Sequence, residues 1–239
     1  MAVFVDDREA LQRDAAGIGA LADPVRRQLY QFVCAQPAPV SRDQAADAVG
    51  IPHHQAKFHL DRLTAEGLLD SDYARLAGRS GPGAGRTSKL YRRARRDIAV
   101  SLPQREYELA GRLMATAIAR SADTGEPVAE ILNRVAREYG HEIGTTSVGP
   151  APPKDAAAAL ERAVRVLRRY GYEPRFCDSE VELANCPFHA LAQEQTELAC
   201  NMNHALITGV ADALAPHGPD ARLCAGRDRC CVVLTAGGQ

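Results

Sequence analysis

Cysteines are the residues of this 239-residue chain whose positions most clearly indicate chemistry, because six of the seven fall in its last third. These six are Cys177, Cys186, Cys200, Cys224, Cys230 and Cys231. Thiolates that converge from separate elements can bind a soft metal ion or an iron–sulfur cluster, and they can also serve as redox-sensitive thiols. The acidic N-terminus lacks the features of a secretory signal, so we expect a cytoplasmic protein whose thiols stay reduced.

The spacing of these cysteines sets conditions on how they could meet. Cys186 opens a predicted helix, where the helix N-terminus favours the thiolate. Thirteen residues separate it from Cys200, and a straight helix would hold the two about 20 Å apart. Convergence therefore requires this segment to break into two shorter helices. Cys230 and Cys231 fall in a predicted last strand, where alternation of side chains allows only one of them to face a given site.

A basic, glycine-rich stretch in the first half of the chain indicates a polyanionic partner. Eight basic residues and no acidic one lie from Arg75 to Arg96, although the whole chain has a net charge of only −1. Such a local field attracts polyanions whatever the overall charge. The sequence RSGPGAGR lies between predicted strands at 68–76 and 87–93. It suits a hairpin wing whose arginines follow a phosphate backbone or reach a minor groove.

Helices are predicted ahead of this wing. Residues 7–36 have apolar side chains near a period of 3.6, and Pro24, with Asp23 as a cap, predicts either two helices or one helix that bends at Asp23. Ser41 and Gln44 have the spacing of a capping box at the start of a short helix.

The helix that follows contains the sequence HHQAKFHLDRLTAEGLL and has an inward stripe of Ala56, Leu60 and Leu63. Two short helices joined by a tight turn, the second beginning with hydrogen-bonding side chains, are typical of a helix–turn–helix. We expect DNA contacts from this helix and from the wing. The expected residues are His53, His54, Gln55, Lys57, His59 and Arg62 in the helix, and Arg79, Arg86 and Lys89 in the wing.

These motifs together resemble the winged-helix domain of ArsR-type regulators. The resemblance runs from residue 21 to residue 94 and includes LADPVRRQLYQFV, SRDQAADAVGIPHHQAKFHLDRLTAEGLL and SKLYRRA. It implies a transcriptional regulator, expected to be a repressor, that binds double-stranded operator DNA as a homodimer. The alternative is a small helical protein-interaction module, but such a module gives the basic wing no purpose.

The C-terminal part resembles the SufR-like branch of the same regulators, in which cysteines bind a 4Fe–4S cluster that controls DNA affinity. The resemblance lies in NCPFHALAQEQTELAC and a distal cysteine, and it implies Cys186, Cys200 and Cys230 as ligands. Either member of the pair Cys230–Cys231 could serve. A structural zinc, a thiol switch and a small-molecule ligand remain alternatives. The fourth ligand is open among His189, Cys224, Cys177 and His204.

The predicted fold class is α+β, with three parts. Residues 1–96 form the winged helix–turn–helix, residues 97–122 a linker with a dimerisation helix, and residues 123–239 a cysteine-rich sensor domain of helices packed on a small antiparallel sheet. The dimer interface is expected on one apolar side of the helix at 104–122. That side consists of Tyr107, Ala110, Leu113, Met114, Ala117 and Ile118.

Two other classes of protein receive less support. No apolar run approaches the roughly 20 residues that span a bilayer. An enzyme with Cys186 as nucleophile and His189 as base is conceivable, because residues i and i+3 at a helix start can touch. No third residue to orient such a pair can be named, so we expect no enzymatic activity.

Overall fold

The structure is a computed structural model that describes residues 7–74, 88–147, 151–178, 180–224 and 229–237. The chain divides into two compact units, Met1–Val100 and Ser101–Gln239. The helix expected to link two domains lies inside the second unit, so the division differs from the three-part prediction. In the described ranges no helix combines the length and the apolar character needed to cross a membrane.

The first unit combines four helices with a small sheet in the part of the chain described. Strand β1 was not predicted, since it has only two residues and exists by pairing with Leu90 and Tyr91, far away in the sequence. Strands β2 and β3 match the predicted wing strands, and the described sheet is antiparallel in the order β1–β3–β2. The elements are α1 (Asp7–Ala20), α2 (Pro24–Ala35), β1 (Val40–Ser41), α3 (Arg42–Val49), α4 (His53–Ala65), β2 (Leu69–Ala74) and β3 (Ser88–Arg93).

Local capping explains where these helices begin and end. The Asp23 side chain accepts a hydrogen bond of 2.9 Å from the backbone N–H of Arg26, and Pro24 occupies the first turn of α2. Ser41 and Gln44 form the predicted capping box at the start of α3. All these contacts are short-range in sequence, which is why the chain alone predicted them.

The second unit is a mixed helical and antiparallel structure, which confirms the α+β prediction. The four strands described here lie in the order β4–β5–β7–β6, and each neighbouring pair is antiparallel. The elements are α5 (Tyr107–Thr124), α6 (Val128–Ser147), α7 (Ala156–Arg169), β4 (Pro174–Cys177), β5 (Glu180–Leu183), α8 (His189–Glu194), α9 (Thr196–Asp212), β6 (Asp220–Leu223) and β7 (Val232–Thr235).

Helices α6 and α9 pack backbone against backbone through glycines. A Cβ atom added to Gly140 would lie 2.0 Å from the carbonyl oxygen of Leu206, and one added to Gly209 would lie 2.1 Å from that of Arg137. No larger side chain fits at either position without moving a helix. We call Gly140 and Gly209 the glycine seam; it fixes α9, the helix that carries Cys200.

The predicted dimerisation helix directs most of its apolar side into its own unit. Ala110, Leu113 and Ala117 of the predicted side are buried in the core of the second unit, as is the neighbouring Leu109. Tyr107 and Ile118, from the same predicted side, are exposed. The long apolar residues of α5 therefore hold the unit together, and only its outer edge is free for another partner.

Candidate nucleic-acid interface and cysteine cluster

Helix α4 presents the polar face that the sequence predicted. His54, Gln55 and Lys57 are exposed along it. Near its end, Arg62 forms an ion pair of 2.5 Å with Glu66. Hydrogen-bonding and cationic side chains therefore line the outer side of the second helix of the helix–turn–helix, where a major groove would be read.

His53, the first residue of α4, faces back toward α3. Its ring nitrogens lie 3.0 Å from Asp43 and 3.2 Å from Asp47. His53 therefore joins the two helices of the motif, in addition to any contact with DNA.

Asp61 connects α4 to the wing strand β3, and sequence reasoning missed it. Its carboxylate lies 2.7 Å from the Lys89 ammonium and 3.3 Å from that of Lys57, and it accepts a hydrogen bond of 3.2 Å from the Tyr91 hydroxyl. Burial raises the pKa of Asp61, but the hydrogen bonds from both lysines outweigh it and leave the pKa below 3.8. Burial and the Asp61 carboxylate raise the pKa of Tyr91.

Asp61 thus holds two of the residues expected to meet DNA, and its spacing from Lys57 was the available signal. Residues i and i+4 on a helix are neighbours, so a Lys57–Asp61 pair could have been predicted. The connection to β3 could not, because it depends on how the hairpin folds back. Two of the expected wing contacts, Arg79 and Arg86, lie outside the described residues.

His59 is placed differently from the other predicted contact residues. Its side chain is half-buried, and within the described ranges its buried Nδ1 has no hydrogen-bond partner. It lies near Asp23, whose pKa is lowered mainly by the hydrogen bond from Arg26 and to a smaller extent by His59. Its neighbour Phe58 occupies the outer face instead, which the inward stripe alone did not make evident.

Four cysteine thiols of the second unit form a chain of sulfur contacts. The sulfurs are neighbours in the order Cys186, Cys230, Cys231 and Cys200, and each thiol shifts the pKa of the next. We call this set the thiol chain. It contains the three predicted ligands and adds Cys231, so the sequence identified three of its four members.

The convergence depends on the break that the cysteine spacing required. Helix α8 ends at Glu194 and α9 begins at Thr196, with Gln195 between them in a non-helical conformation (φ −135°, ψ 66°). This break meets the condition that the cysteine spacing set for convergence. Cys200 was expected at a helix end, but it lies within α9.

Cys230 and Cys231 precede β7, which begins at Val232. The expectation that the pair lies in a strand with opposed side chains is therefore wrong. Outside a strand the alternation of side chains does not apply, and both thiols can join the same cluster. The backbone is nevertheless held, because the Cys230 N–H donates to the carbonyl of Leu183 over 2.8 Å.

Protons are shared unequally along the thiol chain. Interaction with the adjacent Cys230 thiol is the main cause that lowers the pKa of Cys186 and that lowers the pKa of Cys231 to about 6. Burial is the main cause that raises the pKa of Cys200 to about 12, and donation to Cys186 raises that of Cys230. The direction of the pKa shift therefore alternates along the thiol chain, lowered at Cys186 and Cys231 and raised at Cys230 and Cys200.

Polar groups from neighbouring elements lie against the thiol chain. Asn203 is only 1 % exposed, and its side-chain amide donates to the Cys230 sulfur over 3.1 Å while its carbonyl oxygen accepts from the Tyr172 hydroxyl. Arg105 donates to the Cys186 carbonyl over 2.9 Å, and its charge contributes to the lowered pKa of Cys186. Arg105 thus favours negative charge at Cys186 and Asn203 favours it at Cys231, while the amide of Asn203 also holds the Cys230 sulfur in place.

The other residues considered as a fourth ligand have different surroundings. Cys224 is exposed and lies 3.4 Å from Arg229, and Cys177 is exposed on β4. A ring nitrogen of His204 lies 2.8 Å from the Ala221 carbonyl. His189 is exposed at the start of α8, whereas the Cys186 sulfur is buried against Cys230.

The donor set of the thiol chain fits a thiophilic group, because four cysteine sulfurs are the ligands of iron–sulfur clusters and of structural zinc. In the ranges that the structure describes, no set of three or more His, Cys, Asp or Glu side chains has the arrangement of a metal site as it stands. Cys186, Cys200, Cys230 and Cys231 are the residues that would hold such a group.

Comparison with known proteins supports the N-terminal assignment. Residues 21–72 match the family model described as a helix-turn-helix domain. The first unit is a winged helix–turn–helix domain. The match covers the first unit from the end of α1 into β2, which includes the whole helical pair and the start of the wing.

A solved structure is similar to this chain over part of its length. No curated protein matches this chain. The structure is an NMR model of the homodimeric winged helix-turn-helix DNA-binding domain of a possible ArsR-family transcriptional regulator from Mycobacterium bovis. It is 24 % identical, covers 53 % of this chain and 94 % of that chain, and has a TM-score of 0.28. Because so low a TM-score does not establish a shared fold, the assignment depends on the element order and the family model.

Proposed function

We propose that the protein is a DNA-binding transcriptional regulator of the ArsR type. The observation that carries this proposal is the outer face of α4, which presents His54, Gln55, Lys57 and Arg62 and is joined to Lys89 of the wing strand β3 through Asp61. Side chains of this kind contact base edges and phosphates, and the basic sequence around β3 supplies further charge for the backbone. The protein would act as a homodimer, since two-fold readers contact half-sites about one helical turn apart.

The thiol chain supports a second element of the proposal, a regulatory site that sets DNA affinity. We propose that Cys186, Cys200 and Cys230 hold a 4Fe–4S cluster, with Cys231 available as the fourth sulfur. Such a cluster supplies reversible redox chemistry and sensitivity to oxidants when bound. Asn203 would orient Cys230, and the charge of Arg105 would favour thiolate at Cys186. A binding role for Cys186, rather than a catalytic one, follows from its burial among sulfurs.

DNA affinity would then depend on the separation of the two α4 helices in the dimer. A change in the state of the thiol chain would alter that separation, and a coupling free energy of about 1–3 kcal/mol is typical of such regulation. Zinc or a reversible disulfide at the same sulfurs is the second candidate, because thiols already in contact suit a compact site.

A duplex selected from a random pool tests the DNA part of the proposal. Arg62→Ala should weaken binding to the selected and the random duplex alike and should reduce the salt slope by about one unit. Arg165→Ala, which removes an exposed arginine of the second unit, is the matched control and should leave both unchanged. Equal behaviour of the two variants would exclude α4 as the DNA-binding face.

Anaerobic purification with metal analysis and an absorbance spectrum tests the regulatory site. A broad visible absorbance that is lost in Cys186→Ser, Cys200→Ser and Cys230→Ser, but kept in Cys34→Ser, is the expected result. Colourless protein with stoichiometric zinc would favour a structural metal. Metal-free protein that changes DNA affinity only on oxidation would favour a disulfide.

A further inference from the structure

Phe58 stands out on the DNA-facing helix because it is apolar and exposed. Its side chain is 66 % exposed, whereas Leu60 and Leu63 of the same helix are fully buried. The core of the first unit therefore does not use this ring. Single exposed apolar residues are common on protein surfaces, but Phe58 lies among the hydrogen-bonding and cationic side chains proposed to face DNA.

The geometry of the helix directs Phe58 away from the core. With about 100° of rotation per residue, it lies nearly opposite the centre of the stripe Ala56, Leu60 and Leu63. His54 lies one turn before it and Arg62 one turn after it on the same side. The ring contacts His59 edge-on, with centroids 5.3 Å apart and planes at 72°. The half-buried His59 thus supports the outward ring.

We propose that Phe58 reads thymine by packing against its C5-methyl group in the major groove. The proposal deepens the DNA-binding function and rests on it. A phenyl ring can neither donate a hydrogen bond nor pair with a phosphate, so it gains most where the DNA edge is apolar. The thymine methyl is the apolar group that the major groove presents, and phenylalanine is among the side chains that contact it.

The neighbouring cations fix the depth at which the ring would enter. Lys57 and Arg62 flank Phe58 along the helix, and both reach far enough to meet phosphates on either side of the groove. Phosphate contacts position a protein and carry no sequence information. Phe58 would then supply specificity at the centre of the face, between the hydrogen-bonding side chains at the start of α4 and Arg62.

Replacement of single thymines by deoxyuridine in the selected duplex removes only the methyl group and tests the proposal directly. At one thymine of a single half-site, the substitution should weaken wild-type binding about fourfold, the effect expected for one buried methyl group. The same substitution should leave the affinity of Phe58→Ala unchanged, because the methyl has lost its partner. Phe58→Leu should keep part of the effect. Phe176→Ala, which removes an exposed phenylalanine of the second unit, should respond to deoxyuridine as the wild type does.

The outcomes separate this inference from the function beneath it. A wild type that binds its selected duplex but shows no loss at any deoxyuridine would overturn the role of Phe58 and leave DNA binding intact. An equal loss in the wild type and in Phe58→Ala would do the same, since another residue would then contact the methyl. A wild type that selects no sequence and has no affinity for duplex DNA would overturn both proposals.

Discussion

The two units place their reactive side chains in opposite environments. In the first, polar and cationic groups lie on the outside of α4, where water competes for each of them. In the second, the thiol chain is largely enclosed, with Cys186 and Cys230 buried and Asn203 beside them. The difference suits a surface that must meet a large polyanion and a site in which small changes in charge must be felt strongly.

This contrast also separates residues that stabilise from residues that bind. On α4 most outward side chains can change with little effect on folding, because they contact mainly solvent. Around the thiol chain a single change leaves a buried donor or acceptor unpaired. A substitution around the thiol chain that leaves stability unchanged, or one on the outer face of α4 that lowers it strongly, would contradict this contrast. The following substitutions are ordered from the largest expected loss of stability to the smallest.

Gly140→Ala should destabilise the second unit by about 3 kcal/mol or more, because the new methyl would overlap the Leu206 carbonyl. Gly111→Ala is the matched control in α5, where a Cβ meets nothing within 4 Å. It should raise the free energy of unfolding by about 0.5–1 kcal/mol through helix propensity. Urea denaturation of both variants measures the difference, and similar losses in the two would mean that α6 and α9 are not in backbone contact.

Asn203→Ala should cost about 1–3 kcal/mol, because it leaves the Tyr172 hydroxyl and the Cys230 sulfur without their shared partner. Asn201→Ala, on the same helix but half-buried at a polar surface, should change stability by less than about 0.5 kcal/mol. Thermal or chemical unfolding distinguishes them. Equal stability of the two variants would argue against a buried polar network around the thiols.

Asp61→Asn should cost about 1 kcal/mol or less at pH 7, since the pair with Lys89 is partly exposed and screened. The folded-state pKa of Asp61 is lowered below 3.8, so its contribution is present above that pH and disappears as the pH falls through the folded pKa. The difference in unfolding free energy between variant and wild type should therefore shrink below about pH 3.8. Asp70→Asn, whose partner Arg92 is 3.9 Å away, should show little difference at any pH.

Gln55→Ala should have the smallest effect on folding, within about 0.5 kcal/mol, because the side chain is exposed. It should instead change which bases are preferred in a selection experiment, while affinity for random DNA stays the same. A loss of stability without a change in base preference would mean that Gln55 stabilises the fold and does not contact bases.

The sequence predicted the first unit in more detail than the second, for a physical reason. Asp23, Ser41 and Gln44 act on backbone groups three residues away, so their role is legible from spacing alone. Strand β1 was missed because its two residues take their structure from β3. The inward turn of His59 likewise depends on α2, which packs against α4.

In the second unit the helices and strands were predictable from the sequence, but the tertiary contacts between them were predictable only in part. The distance between Cys186 and Cys200 required a broken helix, and the structure has one. Side-chain alternation in a predicted strand allowed only one of Cys230 and Cys231 to face the site, and that reasoning failed because β7 begins only at Val232. The apolar side of α5 was legible as a stripe, but periodicity cannot tell whether the stripe packs against its own unit or against another chain.

The glycine seam has a consequence for how the second unit could respond to a signal. A helix held by backbone contact cannot easily slide or rotate, since either motion would drive Cα atoms into carbonyl oxygens. Cys200 lies on such a helix, α9. A chemical change at the thiols would then displace the segment that contains Cys230 and Cys231, just before β7. The displacement would be transmitted through the sheet and not through α9.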